Sequence, residues 1–139
     1  MLADPAAQAY TEEELRNLEV VRALRRATVE GRKAYMSPGA RIHRRGMAHL
    51  AARSGASYTP EGLPDRADEI HAMIAKGDRV WAVWTIHATH DGSLFGHEPT
   101  GRPVEVLEVG IWRLAEGKVV EAWFLADEYA LAQTFGLLP

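Results

Sequence analysis

Cysteine is absent from this chain of 139 residues, which excludes disulfide bridges, thiolate metal sites and cysteine nucleophiles. A chain without cysteine suits a reducing compartment. The polar, acidic N-terminus lacks the apolar segment of a signal peptide, and no apolar run reaches the length that crosses a membrane. We therefore expect a soluble, cytoplasmic protein without a membrane partner.

A large charge of one sign is also absent. The formal net charge is −3, with acids and bases interspersed along the chain, and this argues against a nucleic-acid partner. The one basic cluster, formed by Arg41, Arg44 and Arg45, is small and has no interleaved aromatic residues. We interpret it as a solvated loop, with the steering of an anionic ligand as the alternative.

The short motifs that bind phosphates or metals are missing as well. The glycine-rich stretch 92–101 matches neither the dinucleotide pattern nor the P-loop, and the chain contains no GxSxG elbow and no HExxH. His87 and His90 differ in strand parity, so their side chains point to opposite faces and cannot share one metal ion unless a bulge intervenes. We expect neither a metal site nor a nucleotide cofactor.

Hydrophobic residues make up 47% of the chain, which is enough for a packed core, and the length suits a single domain over residues 1–139. Thr11 and Glu14 form a capping-box pattern that predicts a helix from Thr11 to about Val29. A turn-rich region follows over 30–46, then a short helix over 47–53 and a loop over 55–64.

The second half of the chain has the pattern of consecutive strands. Segments rich in Val, Ile, Trp and Thr are separated by tight turns. A terminal helix follows them and stops at Gly136. The predicted strands are Ala67–Ala75, Arg79–His90, Val104–Leu114 and Lys118–Ala126, and the terminal helix is 128–135. This order predicts an α+β fold, with helices on one face of an antiparallel sheet.

Both faces of the strand Arg79–His90 are apolar. An antiparallel sheet usually has one solvated face. Two apolar faces therefore predict a helix-lined pocket on one side and a second subunit on the other, that is, a homo-oligomer.

Asp127 stands where the last strand runs into the terminal helix, beside Trp123, Phe124 and Tyr129. A carboxyl in such surroundings is either exposed by the local twist or buried, and burial favours the neutral form that a general acid/base needs. The alternative is that Asp127 is a helix N-cap. Position in the sequence leaves both roles open.

Among the histidines, His90 ends an otherwise apolar strand face, where a neutral imidazole can donate to a developing oxyanion or bond to the backbone. For His87 the structural role is favoured, and His43 alone looks like an ordinary loop residue. His49, His71 and His97 look like surface residues. The four tryptophans suit either a core or a pocket for flat apolar ligands. Trp123 shares strand parity with Asp127, and Trp84 shares it with His90.

Together these residues resemble the SnoaL-like polyketide cyclases of the nuclear transport factor 2-like superfamily. The resemblance is strong over the C-terminal half of the chain and extends to the N-terminal half only in the order of elements. The matching motifs are Leu63-Pro64-Asp65, Gly77-Asp78-Arg79-Val80, Trp84-Thr85, Thr89-His90-x-Gly92, Pro99-Thr100-Gly101, Arg113, Gly117-Lys118, Glu121-x-Trp123-x-x-x-Asp127, and Gln133 before Gly136.

The resemblance implies a cone-shaped fold: a strongly curved antiparallel sheet wrapped against N-terminal helices, with a short C-terminal helix and a deep apolar pocket. It also implies an oligomer that needs no metal or organic cofactor. An Asp at the position of Asp127 acts in the family's cyclases as acid/base for an intramolecular aldol closure, and a His at the position of His90 or His43 is often near the pocket. Val83 and Ala88 depart from the Arg and Gly of many relatives, and Val83 removes a cation.

We therefore expect a cofactor-free acid/base enzyme that performs aldol-type chemistry, as a cyclase, lyase or isomerase, on a hydrophobic aromatic or polyketide-like molecule. The expected catalytic residues are Asp127, His90 and His43. The expected substrate-binding residues are Trp84, Trp112, Trp123, Tyr129 and His87. The alternative is a non-catalytic binding module or oligomeric scaffold of the same fold, in which Asp127 only caps a helix.

Overall fold

The structure is a computed structural model that describes residues 9–44 and 46–138. Its helices are α1 (Glu12–Arg26) and α2 (Glu128–Thr134), and its strands are β1 (Met36–Arg44), β2 (Ala67–Lys76), β3 (Arg79–Thr89), β4 (Pro103–Ala115) and β5 (Lys118–Ala126). Short 3₁₀ turns cover Gly31–Tyr35, Met47–Leu50 and Pro60–Gly62. Arg45, part of the predicted basic cluster, lies outside the described residues. Within the part that is described, neither helix has the length and apolar character to cross a membrane.

The five strands form one sheet in the order β1-β5-β4-β3-β2. Two-residue turns join β2 to β3 and β4 to β5, so these neighbours are antiparallel. Lys118, at the start of β5, reaches with its Nζ the carbonyl of Ala34, just before β1. Trp123, later in β5, stacks on His43 near the end of β1. The two strands therefore run in the same direction, and the sheet is mixed. The predicted α+β class, with an N-terminal helix and a short C-terminal helix, is confirmed.

Strand β1 was not expected, because residues 30–46 looked turn-rich. The turn signal Ser37-Pro38-Gly39 lies inside the strand. Proline cannot donate to a strand ladder and is tolerated at a sheet edge, and β1 is an edge strand. Local turn chemistry therefore gave the wrong prediction here.

Helix α1 begins as the capping box predicts. The Thr11 hydroxyl accepts from the Glu14 N–H at 3.1 Å, and the Glu14 carboxylate accepts from the Thr11 N–H at 3.4 Å. The helix ends at Arg26, earlier than predicted, because Ala27 is extended.

The described residues form two compact units. The first contains residues 9–43, 70–84 and 109–124. Its core is built from one face of α1, with Leu18, Val21 and Leu24 buried, and Arg25 lies over the ring of Trp84. This contact shows that the buried face of α1 covers the sheet.

The second unit contains residues 44, 46–69, 85–108 and 125–138. Its buried apolar residues come from the loops, from β4 and from α2, and they include Leu50, Leu94, Phe95, Val106 and Leu131. Helix α2 packs against the 3₁₀ turn Met47–Leu50. This unit holds the strand-to-helix junction that contains Asp127.

Candidate active site

Asp127 is an exposed residue that caps α2. Its Oδ1 accepts a hydrogen bond from the Ala130 N–H at 3.2 Å, and its own N–H donates to the Leu107 carbonyl at 2.8 Å. The apolar neighbours Leu125 and Tyr129 are themselves 69% and 62% exposed. Of the two states considered for this carboxyl, the structure shows the exposed one. Its side chain forms the cap, and its backbone N–H is bonded to β4.

His90 is fully buried, and its hydrogen bonds fix its tautomer. The Thr100 N–H donates to Nδ1 at 3.3 Å, and the Thr100 hydroxyl lies 3.0 Å from the same atom. Nδ1 is therefore an acceptor, which assigns the proton of the neutral ring to Nε2. Nε2 makes no well-formed hydrogen bond among the described residues, although backbone groups of Gly92 and His97 lie near enough to the ring to favour its charged form in part. A buried donor without a partner is costly.

Burial lowers the pKa of His90, and the charge of nearby His97 acts in the same direction. The imidazole is therefore neutral at pH 7. A neutral imidazole whose Nε2–H makes no well-formed hydrogen bond to the protein can stabilise an oxygen that gains negative charge. The predicted chemistry of His90 is thus compatible with its surroundings.

Asp127 and His90 lie near opposite ends of α2. Asp127 caps the N-terminus, whereas the ring of His90 meets Phe135, which follows the last turn, edge to face at 5.3 Å. Because a helix rises 1.5 Å per residue, the two ends are about 12 Å apart. The two residues are therefore not a hydrogen-bonded dyad, and a single ligand would have to be long to reach both.

Trp84 and Trp112 are buried in the first unit, with ring centroids 5.5 Å apart. Phe124 packs edge-on against both rings, and the Arg25 guanidinium lies 4.2 Å from the Trp84 centroid. Gly110 allows this packing, because a Cβ there would come within 2.8 Å of each indole. These residues form an aromatic wall under α1 in which the rings are tilted or edge-on to one another.

Trp123 does not belong to this wall. Val119 and Ala122 are both fully buried although they are three residues apart on β5, so the strand contains a bulge that shifts the alternation. Phe124 consequently faces Trp84, and Trp123 stacks on His43 at 5.2 Å. Strand parity in the sequence could not reveal this shift.

His43 lies in an ion cluster around Glu121. The Glu121 carboxylate is 2.8 Å from His43, 3.0 Å from Arg41 and 3.4 Å from Arg113. The hydrogen bond from His43 and the two guanidinium groups hold the pKa of Glu121 below its usual range. His43 thus has a carboxylate and an indole as neighbours, which its position in a predicted loop did not suggest.

The remaining predicted site residues are exposed. His87 pairs with Glu69 at 2.8 Å on the surface, and Tyr129 follows the cap of α2. His97, expected on the surface, is half-buried: its ring stacks on Phe135 at 4.3 Å and lies 2.6 Å from the Leu50 carbonyl.

Sequence reasoning missed a buried charge network in the second unit. Glu108 is 2% exposed, and its carboxylate lies 2.5 Å from Arg44 and 3.8 Å from Arg66. Burial of Arg66 opposes its charge, but hydrogen bonding and attraction from Asp68 outweigh this, so its pKa is raised. A signal existed, because Glu108 falls on the otherwise apolar face of β4.

In the described part of the chain, no group of three or more His, Asp or Glu side chains could hold a metal ion.

A family model described as SnoaL-like polyketide cyclase matches residues 8–135. Three solved structures are similar over nearly the whole chain. A candidate SnoaL-like polyketide cyclase from Jannaschia sp. CCS1 is 24% identical, with a TM-score of 0.76, and the match covers 96% of this chain and 100% of that one. AclR, a candidate hydroxylase from Streptomyces galilaeus, is 29% identical, with a TM-score of 0.70 and coverage of 92% and 83%.

The third structure is IdmH, a candidate polyketide cyclase from Streptomyces antibioticus. It is 23% identical, with a TM-score of 0.63, and the match covers 91% of this chain and 99% of that one. No protein with a curated function matches the chain.

Proposed function

Because this chain belongs to the SnoaL-like polyketide cyclase family, we propose that it is a cofactor-independent acid/base enzyme with aldol-type chemistry. The substrate is a hydrophobic aromatic or polyketide-like molecule. The reaction is a ring closure or its reverse, and Asp127 is the general acid/base. The observation that carries the proposal is the placement of Asp127 at a strand-to-helix junction. Its exposed carboxylate accepts one hydrogen bond from the Ala130 N–H, and its backbone N–H donates to Leu107.

The reaction moves one proton from carbon to oxygen and forms one carbon–carbon bond. The carboxylate of Asp127 takes a proton from a carbon next to a carbonyl, and the resulting enolate adds to a second carbonyl of the same molecule. The alkoxide that forms then receives the proton from the Asp127 carboxylic acid. No oxidant or reductant is consumed, and general acid/base catalysis of this kind contributes about 10²–10⁴ in rate.

His90 supports the proposal as a donor. Its Nε2–H is buried and makes no well-formed hydrogen bond in the described residues, so a carbonyl oxygen of the substrate would serve as its acceptor. The distance of about 12 Å between the two ends of α2 suits an extended, flat molecule with one oxygen near each end. Trp84 and Trp112 are buried in the first unit, and their role in substrate binding stays a prediction. The roles of His43, Trp123, Tyr129 and His87 stay predictions.

A probe with the two reacting groups on one ring tests the reaction type. The probe is a benzene ring that carries a methylene ester chain and a ketone chain on adjacent carbons. We expect loss of the methylene proton to deuterium in D₂O and a closed ring detected by mass spectrometry. A control probe with an alkyl group in place of the ketone should exchange deuterium and stay open. Tight binding of the probe without exchange or closure would contradict the proposal.

The second candidate is a binding module that holds a ligand without reacting. The observation in its favour is the hydrogen bond from the Ala130 N–H to Asp127, which gives the carboxylate a structural role. This reading predicts that Asp127→Asn, which keeps a good cap, leaves every measured activity of the chain unchanged.

A further inference from the structure

Two exposed leucines flank Asp127. Leu107 on β4 is 49% exposed, and Leu125 on β5 is 69% exposed. The Asp127 N–H donates to the Leu107 carbonyl at 2.8 Å, so these two residues stand opposite each other on antiparallel strands. Residues paired in this way have Cα atoms about 5.5 Å apart. Leu125 precedes Asp127 by two residues of extended chain, which is a distance of about 6.6 Å.

The two leucines share one face of the sheet. The neighbours of Leu107 in β4 are Val106 and Glu108, which are 1% and 2% exposed. Because side chains alternate between the faces of a strand, Leu107 is on the face opposite to these buried residues. Residues opposite each other on antiparallel strands share a face, so position 127 has the register of Leu107. Leu125, two residues earlier, has the same register.

An exposed leucine by itself needs no explanation. Here two of them lie beside a carboxylate that is also exposed, and ligand sites typically combine apolar side chains with a few polar groups. A carboxylate that removes a proton must come within about 3 Å of the substrate. A substrate of Asp127 must therefore also lie against the surface around this residue, and Leu107 and Leu125 are part of that surface.

We propose that Leu107 and Leu125 bind the apolar ring system of the substrate and hold its acidic carbon against Asp127. The inference rests on the proposed role of Asp127. Diagonal residues on neighbouring strands are about 7–8 Å apart, so the two leucines together contact a system of fused rings better than a single ring. They determine which molecule is bound, by the apolar area that it buries, whereas Asp127 transfers the proton.

Two probes that differ only in apolar area test this contact. The first is the benzene probe described above, and the second carries the same two chains on a naphthalene ring. Initial rates of deuterium uptake into the methylene give kcat and KM for each. We expect the wild type to have the lower KM for the naphthalene probe, because this probe buries more apolar area.

Leu107→Thr and Leu125→Thr remove the apolar contact and keep a residue that favours strands. Each variant should raise the KM of the naphthalene probe about five- to tenfold. The kcat should change less than about twofold, because binding by apolar area acts on the substrate and the transition state alike. The advantage of the naphthalene probe over the benzene probe should shrink in both variants. A merely structural role of the leucines would not change this ratio.

The matched control is Leu137→Thr, because Leu137 is also 49% exposed but lies beyond the end of α2. This variant should keep the wild-type KM for both probes. Unchanged KM values in both Leu107→Thr and Leu125→Thr would overturn the proposal, and so would a lower kcat at unchanged KM. Circular dichroism of each variant verifies that the fold is kept.

Two measurements separate the proposal from its alternatives. Asp127→Asn should slow deuterium uptake but bind the naphthalene probe, followed by its fluorescence, as tightly as the wild type does. Normal uptake by Asp127→Asn would contradict the proposed function, whereas unchanged affinity in the leucine variants would contradict only the binding role of the leucines. Light scattering tests a second copy of the chain as the occupant: a lower mass of the leucine variants with unchanged KM would overturn the proposal.

Discussion

At the scale of single residues, His90 shows what burial does to a titratable group. Burial lowers its pKa in the folded chain, whereas in the unfolded chain the value is about 6.5. As the pH falls below that value, the unfolded chain binds a proton that the folded chain does not. Stability is therefore complete above about pH 6.5 and decreases as the pH falls toward the folded pKa.

We expect urea unfolding midpoints of the wild type to fall between pH 7 and pH 5. In His90→Gln, which has no titrating ring, this part of the pH dependence should be absent, although the variant is less stable at pH 7. The matched control is His87→Gln, because His87 is exposed and pairs only at the surface. Equal slopes for the wild type and His90→Gln would contradict a buried neutral imidazole.

Residue identity predicted some site features and not others. The place of Asp127 at a strand-to-helix junction followed from the sequence because it is local, and the cap was one of the two roles that the sequence left open. The partners of His43 and Glu108 did not, because each contact joins residues far apart in the chain. The position of Trp123 depends on a bulge in β5, and one extra residue in a strand leaves no mark on an apolar sequence.

At the scale of elements, the cap of α2 gives Asp127 a structural contribution that can be separated from its proposed chemistry. Asn is as good an N-cap as Asp, whereas Ala cannot accept the Ala130 N–H. We expect Asp127→Asn to unfold within a few tenths of a kcal/mol of the wild type and Asp127→Ala to lose about 0.5–2 kcal/mol. Thermal unfolding measures both. Equal stability of the Ala and Asn variants would show that the cap contributes nothing.

The start of α1 and the strands β2–β5 were predictable because their signals are a capping box, alternating apolar residues and tight turns, whereas the end of α1 was placed about three residues too late. Strand β1 was not, since its pairing with β5 overrides a local turn signal at Ser37-Pro38-Gly39. An edge strand needs few favourable residues of its own, and a proline there costs little. Elements whose stability comes from a neighbour are the ones that a sequence hides.

At the scale of the whole molecule, the α+β class followed from the order of the elements. The predicted homo-oligomer has not been tested. On the first unit, Ile74 and Trp81 face each other across the turn between β2 and β3, and they are 47% and 46% exposed. Val109 on β4 is 38% exposed. Exposed apolar side chains on one sheet are typical of an interface.

We predict a homodimer or larger homo-oligomer that buries this patch. Light scattering at micromolar concentration should give at least twice the mass of the chain, and Trp81→Lys should shift the distribution toward the monomer. Leu15→Lys, which changes an exposed leucine of α1, is the control and should leave the mass unchanged. A monomeric wild-type protein would contradict the prediction.

The central claim is that Asp127 transfers the proton, and deuterium exchange into the methylene ester probe measures that step alone. Asp127→Asn, which preserves the cap, should slow exchange by about 10²–10⁴. Glu128→Gln, a change of the neighbouring acid, should exchange within a few-fold of the wild type. Equal exchange rates for Asp127→Asn and the wild type, with both proteins folded and binding the probe, would contradict the claim.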